Sequence, residues 1–130
     1  MAKISLLQHF SIYCRDLEQM HRFYTEVLGM AELPRPKFPF PGYWLSAGEG
    51  HHIHLSKISD SHITHSISDN EDGYTDHHFG LLTDDLDSMK EQLRSRSIPF
   101  YDEPYGYRQI FLRDPENNLI EVASEEMFPK

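Results

Sequence analysis

The chain repeats itself, and that repeat limits what it can fold into more than any other feature. Residues 9–20 read His-Phe-Ser-Ile-Tyr-Cys-Arg-Asp-Leu-Glu-Gln-Met, and residues 78–89 read His-Phe-Gly-Leu-Leu-Thr-Asp-Asp-Leu-Asp-Ser-Met. Five identities stand in register: His9/His78, Phe10/Phe79, Asp16/Asp85, Leu17/Leu86 and Met20/Met89. A second match follows in each half. Trp44-Leu45 precedes Ile53-His54-Leu55 by the same spacing that separates Phe111-Leu112 from Ile120-Glu121-Val122. With 130 residues in all, this predicts one domain made of two copies of one module. Module one covers 4–57 and module two 76–124. The polar stretch 58–75 connects them.

Local signals order each module as βαβββ. Leu6 to Cys14 and His78 to Thr83 carry the β-branched, aromatic and aliphatic residues of strands. Asp16 and Asp85 (or Asp84) suit helix N-caps, because a carboxylate there accepts free backbone N–H groups. Leu17, Met20, Phe23, Val27 and Leu28 then recur at helical spacing, and Gly29 suits the stop. Leu86, Met89 and Leu93 form the corresponding stripe in module two. Three strands complete each copy. They are expected at 31–35, 43–47 and 51–57, then at 99–103, 108–113 and 118–124. Asp114-Pro115-Glu116-Asn117-Asn118 and Ala47-Gly48-Glu49-Gly50 have the residue types of tight turns. The expected class is α+β, with two tandem modules forming a curved, cup-shaped mixed sheet and helices on its outer face.

Composition removes several function classes. Lys+Arg 12 against Asp+Glu 21 gives −9, which repels phosphate backbones and anionic lipid. No nucleic-acid or membrane partner is therefore expected. No apolar run approaches a membrane span, and the N-terminus lacks a signal-peptide stretch, so a cytoplasmic protein is expected. The one cysteine, Cys14, forms no internal disulfide and reads as a small buried hydrophobe. Nine histidines in an acidic, cysteine-poor chain raise the question of a nitrogen- and oxygen-ligated metal.

Strand parity places four of the candidate groups. Side chains alternate between faces along a strand. On that rule His9, His54, His78 and Glu121 each stand opposite an aliphatic face directed at the helices. Two residues beyond each sits a small one: Ser11, Ser56, Gly80 and Ala123. A cavity lined by three imidazoles and one carboxylate follows. Such groups are costly together unless paired, hydrogen-bonded or metal-bound. A lone His or Glu on a strand is more often a hydrogen-bonded surface residue. Four at repeat-equivalent positions favour a divalent metal held by His9, His54, His78 and Glu121, with Zn, Ni, Co, Fe or Mn suited to these ligands.

These residues resemble a family. Leu7-Gln8-His9 with Asp16-Leu17, Phe23-Tyr24 and Leu28-Gly29-Met30, then His78 with Asp84-Asp85-Leu86-Asp87, then Phe111, Asp114-Pro115 and Ile120-Glu121-Val122, look like the vicinal oxygen chelate superfamily. That group includes glyoxalase I, extradiol dioxygenases, and fosfomycin- and bleomycin-resistance proteins. The resemblance implies paired βαβββ modules cupped around a metal, with His9, His78 and Glu121 matching common ligands. His54 falls where glyoxalase I enzymes carry a ligand carboxylate. The resemblance also implies a small-molecule substrate and a homodimer, in some members with ligands shared between subunits.

Three functions follow from it, two of them catalytic. In a glyoxalase I-like enzyme, the metal chelates vicinal oxygens of a hemithioacetal, and Glu121 serves as ligand, general base or both. His54 is a further ligand or acid/base. In an extradiol-type dioxygenase, His9, His78 and Glu121 hold Fe(II), and His54 is an acid/base beside it. In a non-catalytic protein, the cup sequesters a small molecule such as an antibiotic.

The remaining candidates take plainer readings. His51 and His77 have the wrong parity for the cavity, while His52 shares the face of His54 and can support it. His62 and His65 read as surface loop, and His21 as the edge of the first helix. Tyr13, Tyr101, Tyr105 and Arg108 either contact substrate or pack at the surface. Trp44 is core or cavity wall. In the four-proline stretch 34–42, Phe38 and Phe40 either cover a cavity or pack on their own loop.

Overall fold

A computed structural model describes residues 1–57, 77–103 and 106–127. The 58–75 connection with His62 and His65, and Tyr105, lie outside the described residues. The chain divides into two compact units, Met1–Thr64 and His65–Lys130, each with its own sheet.

In the first unit, β1 (His9–Cys14) leads into α1 (Leu17–Arg22), then β2 (Glu32–Leu33), β3 (Gly42–Ser46) and β4 (His52–Lys57). The sheet order is β1-β4-β3-β2, with β1 parallel to β4 and the other neighbours antiparallel. The second unit repeats the plan with β5 (Phe79–Thr83), α2 (Leu86–Ser95), β6 (Phe100–Asp102), β7 (Gln109–Arg113) and β8 (Leu119–Ser124). Its order is β5-β8-β7-β6, again with one parallel pair, β5 to β8. The protein is thus α+β, with two four-stranded mixed sheets built from tandem βαβββ modules.

The caps and stripes follow the sequence. Asp16 accepts from the backbone N–H of Gln19 at 3.0 Å, and Asp85 accepts from that of Ser88 at 2.9 Å. The bonds to Ser88 hold the exposed Asp85 carboxyl below the usual carboxylate range. Leu17 and Met20 bury one face of α1, and Leu86, Met89 and Leu93 bury one face of α2. Beyond Arg22 the first helix widens into a π-helical turn, Phe23–Val27, closed by the Leu28 N–H donating to the Phe23 carbonyl at 3.1 Å. The spacing alone did not predict that widening. It keeps Phe23, Tyr24 and Val27 buried together. Gly29 at φ +78° then ends the run. Ser97 ends the second helix at φ +55°, without a glycine.

The turn after β7 is built by one buried acid. Asp114 accepts from the backbone N–H groups of Glu116 and Asn118 and from the Asn118 amide, all within 3.1 Å. Apolar side chains fill both cores: Ile12, Leu45, Ile53 and Leu55 in the first unit, and Ile110, Leu112, Ile120 and Val122 in the second. Cys14 is fully buried, as its apolar setting predicts. Strand limits are a residue or two shorter than expected, most of all in β1, which starts at His9 rather than Leu6. No helix among the described residues is long and apolar enough to cross a membrane.

Two parity expectations fail locally. Alternation puts Phe10 with Ile12 and Cys14 on the helix-facing side of β1, yet Phe10 is 46% exposed. Leu119 and Ala123 share the parity of Glu121, opposite Ile120 and Val122, yet both are buried. Alternation separates two faces, but it does not say whether the second face is also covered.

Candidate functional site

The first unit gathers a cluster of rings around His54. The β1–β4 register sets Ser11 opposite His54, and the β3–β4 register sets Trp44 opposite it on the other side. A small residue on one side and a flat one on the other let the imidazole lie between rings. It stacks on Trp44 at 4.3 Å and 5°, and on His9 at 4.2 Å and 15°. Its Nε2 lies 3.1 Å from Nδ1 of His52, so one ring donates to the other. His9 is held in turn by Gln8, whose side-chain oxygen accepts from Nδ1 at 2.7 Å. In the neutral ring that bond leaves the lone pair on Nε2.

The surroundings keep His54 uncharged. Burial, and then the nearby His9, His52 and Arg35, lower its pKa from 6.5 to about 4. A neutral imidazole is the form that coordinates a metal or accepts a proton.

The second unit assembles the carboxylate half. Register sets Gly80 opposite Glu121 on β5 and Phe111 opposite it on β7. These positions correspond to Ser11 and Trp44, so the repeat seen in the sequence extends to the cross-strand partners. The Glu121 Oε1 accepts from the amide of Gln109 at 3.0 Å. The same oxygen lies 3.9 Å from Nε2 of His78. His78 meets Phe111 edge-on at 5.5 Å. A Cβ added at Gly80 would stand 3.0 Å from Glu121 Oε2, so a side chain there would displace the carboxylate by a few tenths of an ångström.

Each unit therefore joins two of the four expected groups: His9 with His54, and His78 with Glu121. Among the described residues, no group of three or more His, Cys, Asp or Glu side chains stands arranged to hold a metal ion. The donor chemistry fits a borderline divalent cation, with neutral imidazoles and one carboxylate. The ring geometry adds a condition. A metal binds in the plane of an imidazole, and stacked rings lie in separate planes. His9 or His54 must turn before both can serve one ion.

A second feature of the first unit is a hollow of about 950 Å³ beside the proline-rich loop, reaching from Leu17 and Glu18 to Trp44. Phe38 and Phe40 stack at 5.5 Å, and the Arg35 guanidinium lies 4.9 Å and 5.2 Å from their centroids. Both alternatives for this loop thus hold together: its aromatics pack on each other and also wall a hollow. On the opposite rim the Tyr43 hydroxyl donates to Glu18 at 2.8 Å, and that bond, with burial, raises the Tyr43 pKa. His21 pairs with Glu32 at 2.7 Å.

Sequence reading missed Gln8 and Gln109. Gln109 had a signal. It is the one polar residue in Gln109-Ile110-Phe111-Leu112, and its parity puts it on the face of Phe111. His52, read as a support for His54, does contact it. His51 hydrogen-bonds the Leu7 carbonyl at 2.7 Å, in line with a structural role.

Comparison with known proteins agrees with this plan. The chain is 26% identical over 133 residues to "Glyoxylase I 4" of Arabidopsis thaliana, covering 97% of this chain and 74% of that protein. Lactoylglutathione lyase from Agrobacterium tumefaciens shares the fold at a TM-score of 0.68 and 20% identity, covering 99% and 100% of the two chains. TnmS3, an antibiotic binding protein from Streptomyces sp. CB03234, shares it at a TM-score of 0.69 and 22% identity, covering 95% and 98%. One family model matches residues 6–122, and the chain belongs to that family, the Glyoxalase/Bleomycin resistance protein/Dioxygenase superfamily.

Proposed function

We propose that this protein is a metal-dependent, glyoxalase I-like isomerase, with His9, His54, His78 and Glu121 holding a divalent ion. Its substrate class is the hemithioacetal of a thiol such as glutathione and a 2-oxoaldehyde. When bound, the metal supplies Lewis acidity that makes the substrate C–H acidic. Glu121 takes that proton on a carboxylate oxygen and returns it to the adjacent carbon, leaving a 2-hydroxyacyl thioester. Within its own unit, Trp44 flanks His54 and Phe111 flanks Glu121 with apolar surface. A homodimer of two such chains is part of the same proposal.

One observation carries this reading. The two modules set a proton-accepting or metal-binding side chain at the same register position, His54 opposite Ser11 and Glu121 opposite Gly80. Family membership and the glyoxalase-like relatives support it. The test is thioester formation from glutathione and a 2-oxoaldehyde by protein prepared with and without Zn(II), Ni(II) or Co(II). Metal-dependent isomerisation that disappears in Glu121→Gln supports the proposal. A metal-loaded protein with no turnover overturns it.

The stacked rings favour one alternative. If His54 stays between His9 and Trp44, it stands beside the ion as an acid/base, and His9, His78 and Glu121 are the ligands. That set suits Fe(II) in an extradiol-type dioxygenase. Dioxygen-dependent cleavage of a catechol with Fe(II), and no isomerisation, would select it.

A further inference from the structure

We propose that Gln109 and Gly80 form a slot that fixes the Glu121 carboxylate, with Oε1 held by the Gln109 amide and Oε2 serving as the oxygen that takes the substrate proton. This rests on the reading of Glu121 as the base.

Packing alone does not call for these residues. Gln109 is only 4% exposed, on a strand whose neighbours Ile110, Phe111 and Leu112 are all buried and apolar. A buried amide costs free energy unless its polar atoms are bonded, and an apolar side chain would fill the same space more cheaply. Here the amide nitrogen meets Glu121 Oε1 at 3.0 Å. The other module shows that the fold itself does not need the amide. Gln109 pairs with Ala123, as Gly42 pairs with Ser56 in the first sheet, and Gly42 has no side chain at all. The amide is present in the module that carries the carboxylate and missing from the one that carries the imidazole.

Gly80 follows the same logic. Its counterpart opposite His54 is Ser11, so a side chain is tolerated there. Opposite Glu121 a Cβ would stand 3.0 Å from Oε2, closer than ordinary van der Waals contact. The amide bond at Oε1 resists turning of the carboxylate about its last torsion, and the missing Cβ at Gly80 leaves the room that Oε2 occupies. Oε1 also points toward His78, at 3.9 Å. The two oxygens thus have different neighbours and take different work. In the forward step the substrate C–H bond breaks and an O–H bond forms at Oε2. In the return step that O–H bond breaks and a C–H bond forms at the next carbon. The hydroxyl proton of the first carbon passes to the oxygen of the second, so the atoms balance with no other reagent. Gln109 and Gly80 touch neither substrate nor proton in this scheme, and both are positioning residues.

The experiment compares wild type with Gln109→Leu, Gly80→Ala and Glu121→Gln, first without metal. NMR of the isotope-labelled metal-free proteins reads the Glu121 carboxyl carbon and the Gln109 side-chain amide. The slot predicts that Gln109→Leu and Gly80→Ala each move the Glu121 signal, and that Glu121→Gln moves the Gln109 amide. Zn(II) titrated alone should bind the first two variants about 10–100-fold more weakly than wild type. With substrate, kcat should fall about 10-fold or more while KM stays within about twofold. If Gln109→Leu does not fold, Gly80→Ala at its exposed position decides. An unmoved Glu121 signal in both variants, or a loss confined to KM, overturns the slot. If wild type binds no Zn(II) and turns nothing over, the enzyme reading falls, and the metal-free spectra still decide the slot.

Discussion

The two units use one plan to hold two different polar groups. In the first, β4 alternates cleanly, with Ile53 and Leu55 buried and His52, His54 and Ser56 only partly covered. In the second, β8 is buried along its whole length except at Glu121, and β7 is buried from Gln109 to Leu112. The difference follows from the chemistry of the held group. A neutral imidazole can be fixed by flat neighbours, and His54 is fixed mainly by His9 and Trp44. A carboxylate in covered surroundings needs a donor, and β7 provides Gln109. Duplicating a module therefore copies the register, while each copy acquires the contacts its own polar residue demands.

The sharpest break in that comparison is functional. Glu121→Ala should lower isomerase turnover by about 10³-fold, as expected for loss of a general base. His52→Ala, which removes a neighbour of His54 and leaves the proposed ligands in place, should cost far less. Steady-state rates on hemithioacetal measure both, and equal losses would erase the functional distinction between the halves.

The cores come next. Leu45 and Leu112 occupy corresponding positions and are both essentially inaccessible. Leu45→Ala and Leu112→Ala should each cost about 2–5 kcal/mol in urea unfolding, because each leaves a cavity in a packed sheet. A loss under 1 kcal/mol in one unit would show that its core is looser than the shared plan implies.

Acid should act on the first unit through His54. Its pKa lies near 4 in the fold against 6.5 for the ordinary side chain. The unfolded chain thus binds a proton in the window where the folded one does not. Stability of the metal-free protein should fall as pH drops from about 6.5 toward 4 and level off below that, as far as this group is concerned. NMR titration of the His54 ring should find its midpoint near the lower value, and a midpoint at or above 6.5 would contradict the ring-packed site.

The helix stops give the smallest effect. Gly29 sits at φ +78°, where glycine carries no penalty, and Ser97 sits at φ +55°, where a side chain does. Ser97→Gly should raise stability by about 1 kcal/mol, measured by thermal unfolding. A neutral or negative result would mean that the serine side chain offsets its backbone strain.

Much of this was readable from residue order. The His-Phe repeat, the Asp16 and Asp85 caps and the matched spacings around His54 and Glu121 made the module and its element order legible. They are local signals, and each element obeys its own. What escaped depends on neighbours that no local pattern names. The π-helical turn after Arg22 reflects packing of Phe23, Tyr24 and Val27. Gln109 gains meaning only once β7 lies beside β8. The ring stack on His54 needs β1, β3 and β4 together. The burial of Leu119 and Ala123 is not legible from alternation, which gives direction and not cover.

Elemental analysis of untagged protein after metal-replete expression, beside alanine variants of His9, His54, His78 and Glu121, bears most directly on the proposed metal site. The expected result is one divalent ion per chain in wild type, sharply reduced occupancy in His9→Ala, His78→Ala and Glu121→Ala, and loss or retention in His54→Ala deciding whether that ring is a ligand. Metal-free wild type, or full occupancy in the His78→Ala and Glu121→Ala variants, would contradict it.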